Sequence, residues 1–300
     1  MMPRFKFEPI GSSWVALHPD PRGVIFFIGG AFFGTCPTLF YRYFLECLFD
    51  SGYSVVALPF RFTFQHWSVA IDLWQEQRRL WLILRDMAQR RSYQSEIYQQ
   101  SDQFFWVGHS LGCKYIALLE LLSDFKGLEQ SGDCLEPQQL ETLQAEISQA
   151  PANIFNQRSL LIAPDISDTD SAIPQPFARL VEHLGLGVNP SRRQTLCLIK
   201  NSRLFNLTAL ISFAQDEIAG RLADPDETQS DLRWLLNQMA HPNQQSVPRA
   251  ELPGKHLEPI GIRIGDWIVD FNPWDKFAAR LADRHVEDVA LKLLKKLQDR

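Results

Sequence analysis

The chain has 300 residues, 45% of them hydrophobic and 22% charged, which suits one large α/β domain with a sizeable core. Its net charge of −5 leaves no basic surplus, so a nucleic-acid surface is excluded as its main feature. The longest apolar stretch, residues 24–34, is far shorter than the roughly 20 residues that a membrane helix requires.

Taken in order, residues 5–8 and 14–18 read as short strands around the turn Gly11-Ser12-Ser13, and residues 1–8 carry no basic-then-apolar signal pattern. Residues 24–28 (VIFFI) are apolar on both faces and predict a buried central strand. That strand ends in Gly29-Gly30-Ala31, a loop whose backbone can approach a ligand closely and offer it an N–H. A helix is expected over 40–49 and a buried strand over 53–59. Residues 60–67, with Arg61, Thr63 and His66 among aromatics, form a loop fit to line a pocket, and a long helix follows over 68–90.

Residues 104–109 form the next apolar run, which breaks at Gly108-His109-Ser110-Leu111-Gly112 and continues as a helical pattern over 114–122. G-x-S-x-G between a strand and a helix is the pattern of a nucleophile elbow, in which strained backbone angles lift the serine to the tip of the turn. A Cβ at 108 or 112 would collide with the neighbouring strand and helix. The serine then stands near a helix N-terminus, where free N–H groups favour developing negative charge.

Residues 123–156 are rich in Gln, Glu, Ser and Gly and read as a polar surface insertion with one helix at 137–148. A short strand over 160–163 ends at Pro164-Asp165. Residues 166–206 then leave the sheet and read as a cap with helices at 177–184 and 189–200, the second with Asn189 as N-cap and Pro190 at N1. Strands at 207–213 and 247–252, a helix at 230–239 and a last helix over 275–300 complete the chain. Five widely spaced cysteines without a C-x-x-C argue against a disulfide framework and for a reducing compartment.

Strands alternating with helices predict a mostly parallel sheet with helices on both faces, and functional groups at the C-terminal ends of the strands. Gly29 to Ala31, Ser110, Asp216 and His256 each follow such an end. A serine needs a base, and the base needs a third group to set its tautomer. Of seven histidines, His256 alone lies in a Gly-containing loop after the last expected strand. His109 sits inside the elbow, pointing away from the serine and packing below it, and His183 falls in the cap. Asp216 is the leading acid, with Glu217 and Asp165 open as alternatives.

On Gly108-His109-Ser110-Leu111-Gly112, Asp216 and His256 the chain resembles an α/β-hydrolase over essentially its whole length. Within that superfamily it most resembles a branch from photosynthetic organisms defined by a domain of unknown function. The resemblance implies a single domain over 1–300, with Ser110 as nucleophile, His256 as general base and then acid, and Asp216 as its orienter. It places the oxyanion hole at the N–H groups of Leu111 and Ala31. It departs from the pattern at Gly29-Gly30, where many relatives have His-Gly.

The expected activity is hydrolysis of a carboxylic ester or thioester through an acyl-enzyme, on a small molecule or an acyl lipid. The alternatives are an acyltransferase using the same three residues, or a binding protein that keeps only the fold. No cofactor is expected and no metal, since neither H-E-x-x-H nor a Cys/His spacing is present. The chain reads as cytoplasmic, or stromal if it comes from a plant-type relative, with peripheral membrane contact left open.

Overall fold

A computed structural model describes residues 3–130, 132–147, 154, 157–166, 187–202, 207–225, 230–239, 247–272 and 277–300. Eight strands form one sheet: β1 (Glu8–Ile10), β2 (Ser13–Ala16), β3 (Gly23–Ile28), β4 (Tyr53–Ala57), β5 (Phe104–His109), β6 (Arg158–Ile162), β7 (Thr208–Phe213) and β8 (Arg249–Leu252). Their spatial order is β1-β2-β4-β3-β5-β6-β7-β8. β1 and β2 pair antiparallel, as do β2 and β4, and every pair from β4 to β8 is parallel. The α/β reading of the sequence therefore holds: this is the doubly covered, mostly parallel sheet of the α/β-hydrolase fold.

The period of two along each strand divides the core into two layers. Val24, Phe26, Ile28, Phe104, Trp106 and Leu161 face one side, where they meet α3 (His66–Arg90) and α4 (Leu111–Ser123). Ile25, Phe27, Phe105, Val107, Leu160 and Ile162 face the other, against α2 (Arg42–Asp50), which follows the short α1 (Pro37–Phe40). All twelve of these strand side chains are buried. That explains why their strands read as unbroken apolar runs rather than as alternation.

The order of strands creates the site. From β3 the chain crosses to β4 on one side, while β5 lies on the other side of β3. The loops leaving β3 and β5 therefore part, and the crevice between them is the topological switch point where ligands of open α/β sheets bind. Gly29 to Ala31 and Ser110 stand at its two lips.

Several elements differ from expectation. The insertion after α4 holds α5 (Phe125–Glu129), a 3-10 turn at Gly132–Cys134 and α6 (Pro137–Ile147). The next helix, α7, runs Arg192–Lys200 and is capped by Ser191, whose hydroxyl accepts from Gln194 N while the Gln194 side chain accepts from Ser191 N. Asn189 is not its cap. Its carbonyl accepts from His66 N and Trp67 N and its amide donates to Phe64 O, which ties it to the start of α3 instead. After α8 (Asp231–Met239) and β8, the chain adds a small antiparallel sheet of β9 (Ile262–Ile264), β10 (Trp267–Val269) and β11 (Ala278–Arg280). The last helix, α9 (Val286–Gln298), begins well after residue 275 and packs on the α2 face.

The stems of residues 166–206 are held by buried charge. Asp231 accepts from Ile166 N at 2.6 Å and from Arg192 Nε at 2.8 Å, and the buried Lys114 donates to Pro190 O at 2.9 Å. The expected helix at 177–184 and His183 lie outside the described residues. Cys134 and Cys197 are joined in a disulfide, a pairing that the argument against a disulfide framework did not anticipate. It links the 3-10 turn of the insertion to α7. Because such bonds persist in oxidising compartments, the argument from cysteine spacing to a reducing one no longer follows. Cys113 is free, buried and packed as a small hydrophobe, with burial pushing its thiol well above the ordinary range.

Candidate active site

Ser110 follows β5 directly and precedes the first turn of α4, so strand and helix meet in one residue. It adopts φ 55° and ψ −125°, a left-handed conformation that non-glycine residues avoid. The turn is held from below: Ser110 N donates to Ile162 O at 3.0 Å, and Ser110 O accepts from Cys113 N at 2.9 Å. It also needs room. A Cβ on Gly112 would run into the carbonyls of Ile28 and Gly29, and one on Gly108 would lie 2.7 Å from Ile116 Cδ1. The elbow is thus pressed against the end of β3, with its serine at the crevice.

His256 arrives from the loop after β8. Its Nε2 lies 2.7 Å from Ser110 Oγ, and its Nδ1 lies 3.0 and 2.9 Å from the two oxygens of Asp216. Asp216 follows β7, and its Oδ1 also accepts from Ile218 N and Ala219 N, so the carboxylate is fixed by its own turn. All three side chains are buried. A carboxylate only accepts, so Nδ1 of a neutral His256 carries the proton and Nε2 is left to accept from the serine hydroxyl. Glu217, by contrast, is exposed beside this chain, and Asp165 touches the elbow through its backbone, its amide 3.4 Å from Ser110 O.

The His256 loop has its own frame, which the sequence did not reveal. Asn272, buried just beyond β10, accepts from Leu257 N at 2.9 Å and donates to Glu258 Oε1 at 3.3 Å. Glu258 Oε1 also accepts from Lys255 N. The three residues 255–257 are therefore pinned on both sides of the imidazole.

On the β3 side, Gly30 N donates to the hydroxyl of Tyr41 and is thereby occupied. Leu111 is the first residue of α4, so its N–H has no partner within the helix. Beside His256 opens a cleft of about 580 Å³, lined among others by Gln215, Ile218, Arg221, Lys255 and Asn272. The aromatics of residues 60–67, expected to line a pocket, divide, and Phe32 joins them from the β3 loop. Phe60 and Trp67 are core, Phe60 packing on Tyr115, whereas Phe32 is exposed and pairs with Phe62 at 4.5 Å between ring centroids. Among the described residues no cluster of His, Cys, Asp and Glu could hold a metal ion, and no helix is long and apolar enough to cross a membrane.

Residues 6–139 match a family described as protein of unknown function (DUF1350). No curated protein is significantly similar to the chain in sequence. Among solved structures, a propionate-bound esterase, Est2, from the planctomycete Thermogutta terrifontis is similar with a TM-score of 0.53 at 15% identity, covering 99% of this chain and 95% of its own. Esterase B from Lactobacillus rhamnosis is similar with a TM-score of 0.51 at 13% identity, covering 85% of this chain and 78% of its own. At these identities the likeness is one of fold. Sheet order, elbow and neighbours agree on one conclusion: this chain is built on the α/β-hydrolase fold, with residues 6–139 matching a family described as of unknown function.

Proposed function

We propose that the protein is a serine hydrolase that cleaves a carboxylic ester or thioester through an acyl-enzyme. The observation that carries this reading is the unbroken chain from Ser110 Oγ through His256 to Asp216, set on a strained elbow at the switch point of the sheet. In this reading Ser110 attacks the carbonyl carbon while His256 Nε2 takes its proton. Asp216 holds the imidazole and stabilises the cation that forms. The tetrahedral oxyanion is met by the N–H groups of Leu111 and Ala31, and losing one such donor typically costs about 10²–10³ in rate. His256 then protonates the leaving alcohol or thiol, and a water deprotonated by the same nitrogen releases the acid.

The Thermogutta terrifontis esterase has propionate bound in one structure and butyrate in another, which makes short-chain esters the first substrates to try. The test is labelling with a fluorophosphonate probe together with hydrolysis of p-nitrophenyl butyrate. Wild type labels and turns over, while Ser110→Ala and His256→Ala do neither and remain folded. A Ser110→Ala protein that labels and turns over like wild type overturns the assignment.

A further inference from the structure

The elbow histidine, His109, does more than fill space below the serine. Its Nε2 lies 2.8 Å from the backbone carbonyl of His256, and its Nδ1 lies 2.8 Å from the Tyr41 hydroxyl, which in turn accepts from Gly30 N at 2.8 Å. Tyr41 stands at the start of α2 and, like His109, is wholly buried. Three segments that are far apart in sequence therefore meet: the glycine loop after β3, the elbow, and the loop that carries His256. We propose that Tyr41 and His109 are positioning residues, a directional relay that holds the oxyanion loop and the His256 loop in register with Ser110. This rests on the hydrolase reading above.

The ends of the relay dictate its middle. An amide N–H can only donate and a carbonyl can only accept, so the chain runs Gly30 N–H to Tyr41 O, Tyr41 O–H to His109 Nδ1, and His109 Nε2–H to His256 C=O. This requires a neutral His109 with its proton on Nε2. Its surroundings favour that form, because burial and the adjacent His256 hold the imidazole down to about 3. Burial likewise pushes the Tyr41 hydroxyl far above its ordinary range, so the donor it contributes is kept. Packing at Gly30 closes the arrangement. A Cβ there would lie 3.1 Å from Ser110 Cβ, 3.2 Å from His109 Nδ1 and 3.3 Å from Tyr41 Oη. The glycine loop, the elbow and Tyr41 are thus packed closely where the relay begins.

The test compares wild type, Tyr41→Phe, His109→Asn and the double variant in hydrolysis of p-nitrophenyl butyrate, with urea unfolding to establish that each is folded. Tyr41→Phe removes the link to the glycine loop. His109→Asn keeps an acceptor for Tyr41 but no longer reaches the His256 carbonyl. Each single variant is expected to lose about 10- to 100-fold in kcat, the scale of a sub-ångström to ångström misplacement, with KM changed less than threefold. The double variant is expected to lose less than the product of the singles, because the two act as one unit. A Tyr41→Phe enzyme with kcat within threefold of wild type, or losses that multiply in full, overturns the relay. Should the wild type neither label nor turn over, the hydrolase reading fails on its own. The relay is then judged by proton NMR: the His256 Nδ1–H resonance moves in Tyr41→Phe if the relay holds, and an unmoved resonance overturns it.

Discussion

Replacing Asp216 with Asn separates the two tasks of that side chain. Oδ1 accepts from Ile218 N at 2.8 Å and Ala219 N at 3.0 Å, and an Asn carbonyl can do the same. The turn after β7 therefore survives, and the loss of folding stability stays within about 1 kcal/mol. The other oxygen, 2.9 Å from His256 Nδ1, becomes an NH₂ that donates. Oδ1, 3.0 Å from Nδ1, is already taken up by the two turn amides, so the new NH₂ favours the tautomer in which His256 accepts at Nδ1 and carries its proton on Nε2, facing Ser110 Oγ at 2.7 Å with a donor where a base is needed. A wrong tautomer of this kind lowers kcat by about 10⁴, equivalent to about 5.5 kcal/mol of barrier. The assay is kcat for p-nitrophenyl butyrate, with urea unfolding alongside. A kcat within tenfold of wild type in a fully folded Asp216→Asn protein would show that Asp216 does not set the tautomer of His256.

Acid should destabilise the fold through two buried histidines. His109 and His66 are held down to about 3 by burial, helped in His109 by His256 and in His66 by the Lys114 charge. Unfolding restores the ordinary value near 6.5, so the unfolded chain binds protons that the folded one refuses. Stability is complete above pH 6.5 and is lost as pH falls toward 3, by about 2 kcal/mol per histidine between pH 7 and pH 5. Urea melts across that range check this, and a flat unfolding free energy would refute it. Asp231→Ala leaves the Arg192 guanidinium and Ile166 N without their buried acceptor and should cost about 3–5 kcal/mol, read by thermal and urea unfolding. Reduction of Cys134–Cys197, or Cys134→Ser, reopens a 63-residue loop in the unfolded chain and should cost up to about 4 kcal/mol. Identical melting with and without dithiothreitol would contradict that.

What the sequence made legible was what local chemistry enforces. Apolar runs such as 24–28 and 104–107, too short for a helix and flanked by glycine, fit buried strands, and Gly108-His109-Ser110-Leu111-Gly112 has the spacing of a turn that Cβ atoms would block. What escaped it depends on partners that are distant in sequence. Cys134 and Cys197 have no local spacing that marks them as a pair. Asn189-Pro190 looks like a helix start, yet the backbone of α3 claims Asn189 first, and the cap passes to Ser191. Residues 278–280 (AAR) favour a helix locally, but pairing with Trp267–Val269 makes them a strand. A signal for that sheet was present in Gly265-Asp266, a two-residue turn between Ile264 and Trp267. Tyr41 also left a trace: a hydroxyl among Phe44, Leu45 and Leu48 on a buried helix face calls for a partner.

The crevice between β3 and β5 has an evolutionary corollary. Ser110, Leu111 and Ala31 follow two adjacent strands whose ends are in close contact at Gly112, so the proposed nucleophile and oxyanion donors share one small contact. The cleft beside His256 is lined by side chains of two further connections, among them Gln215, Ile218, Arg221 and Lys255. In the proposed enzyme, chemistry and selectivity thereby fall to different side chains of the same loops. Under the proposed hydrolase reading, exchanging Gln215, Ile218, Arg221 or Lys255 alters which ester is accepted while leaving Ser110, Asp216 and His256 in place, so this scaffold can diversify residue by residue within its loops.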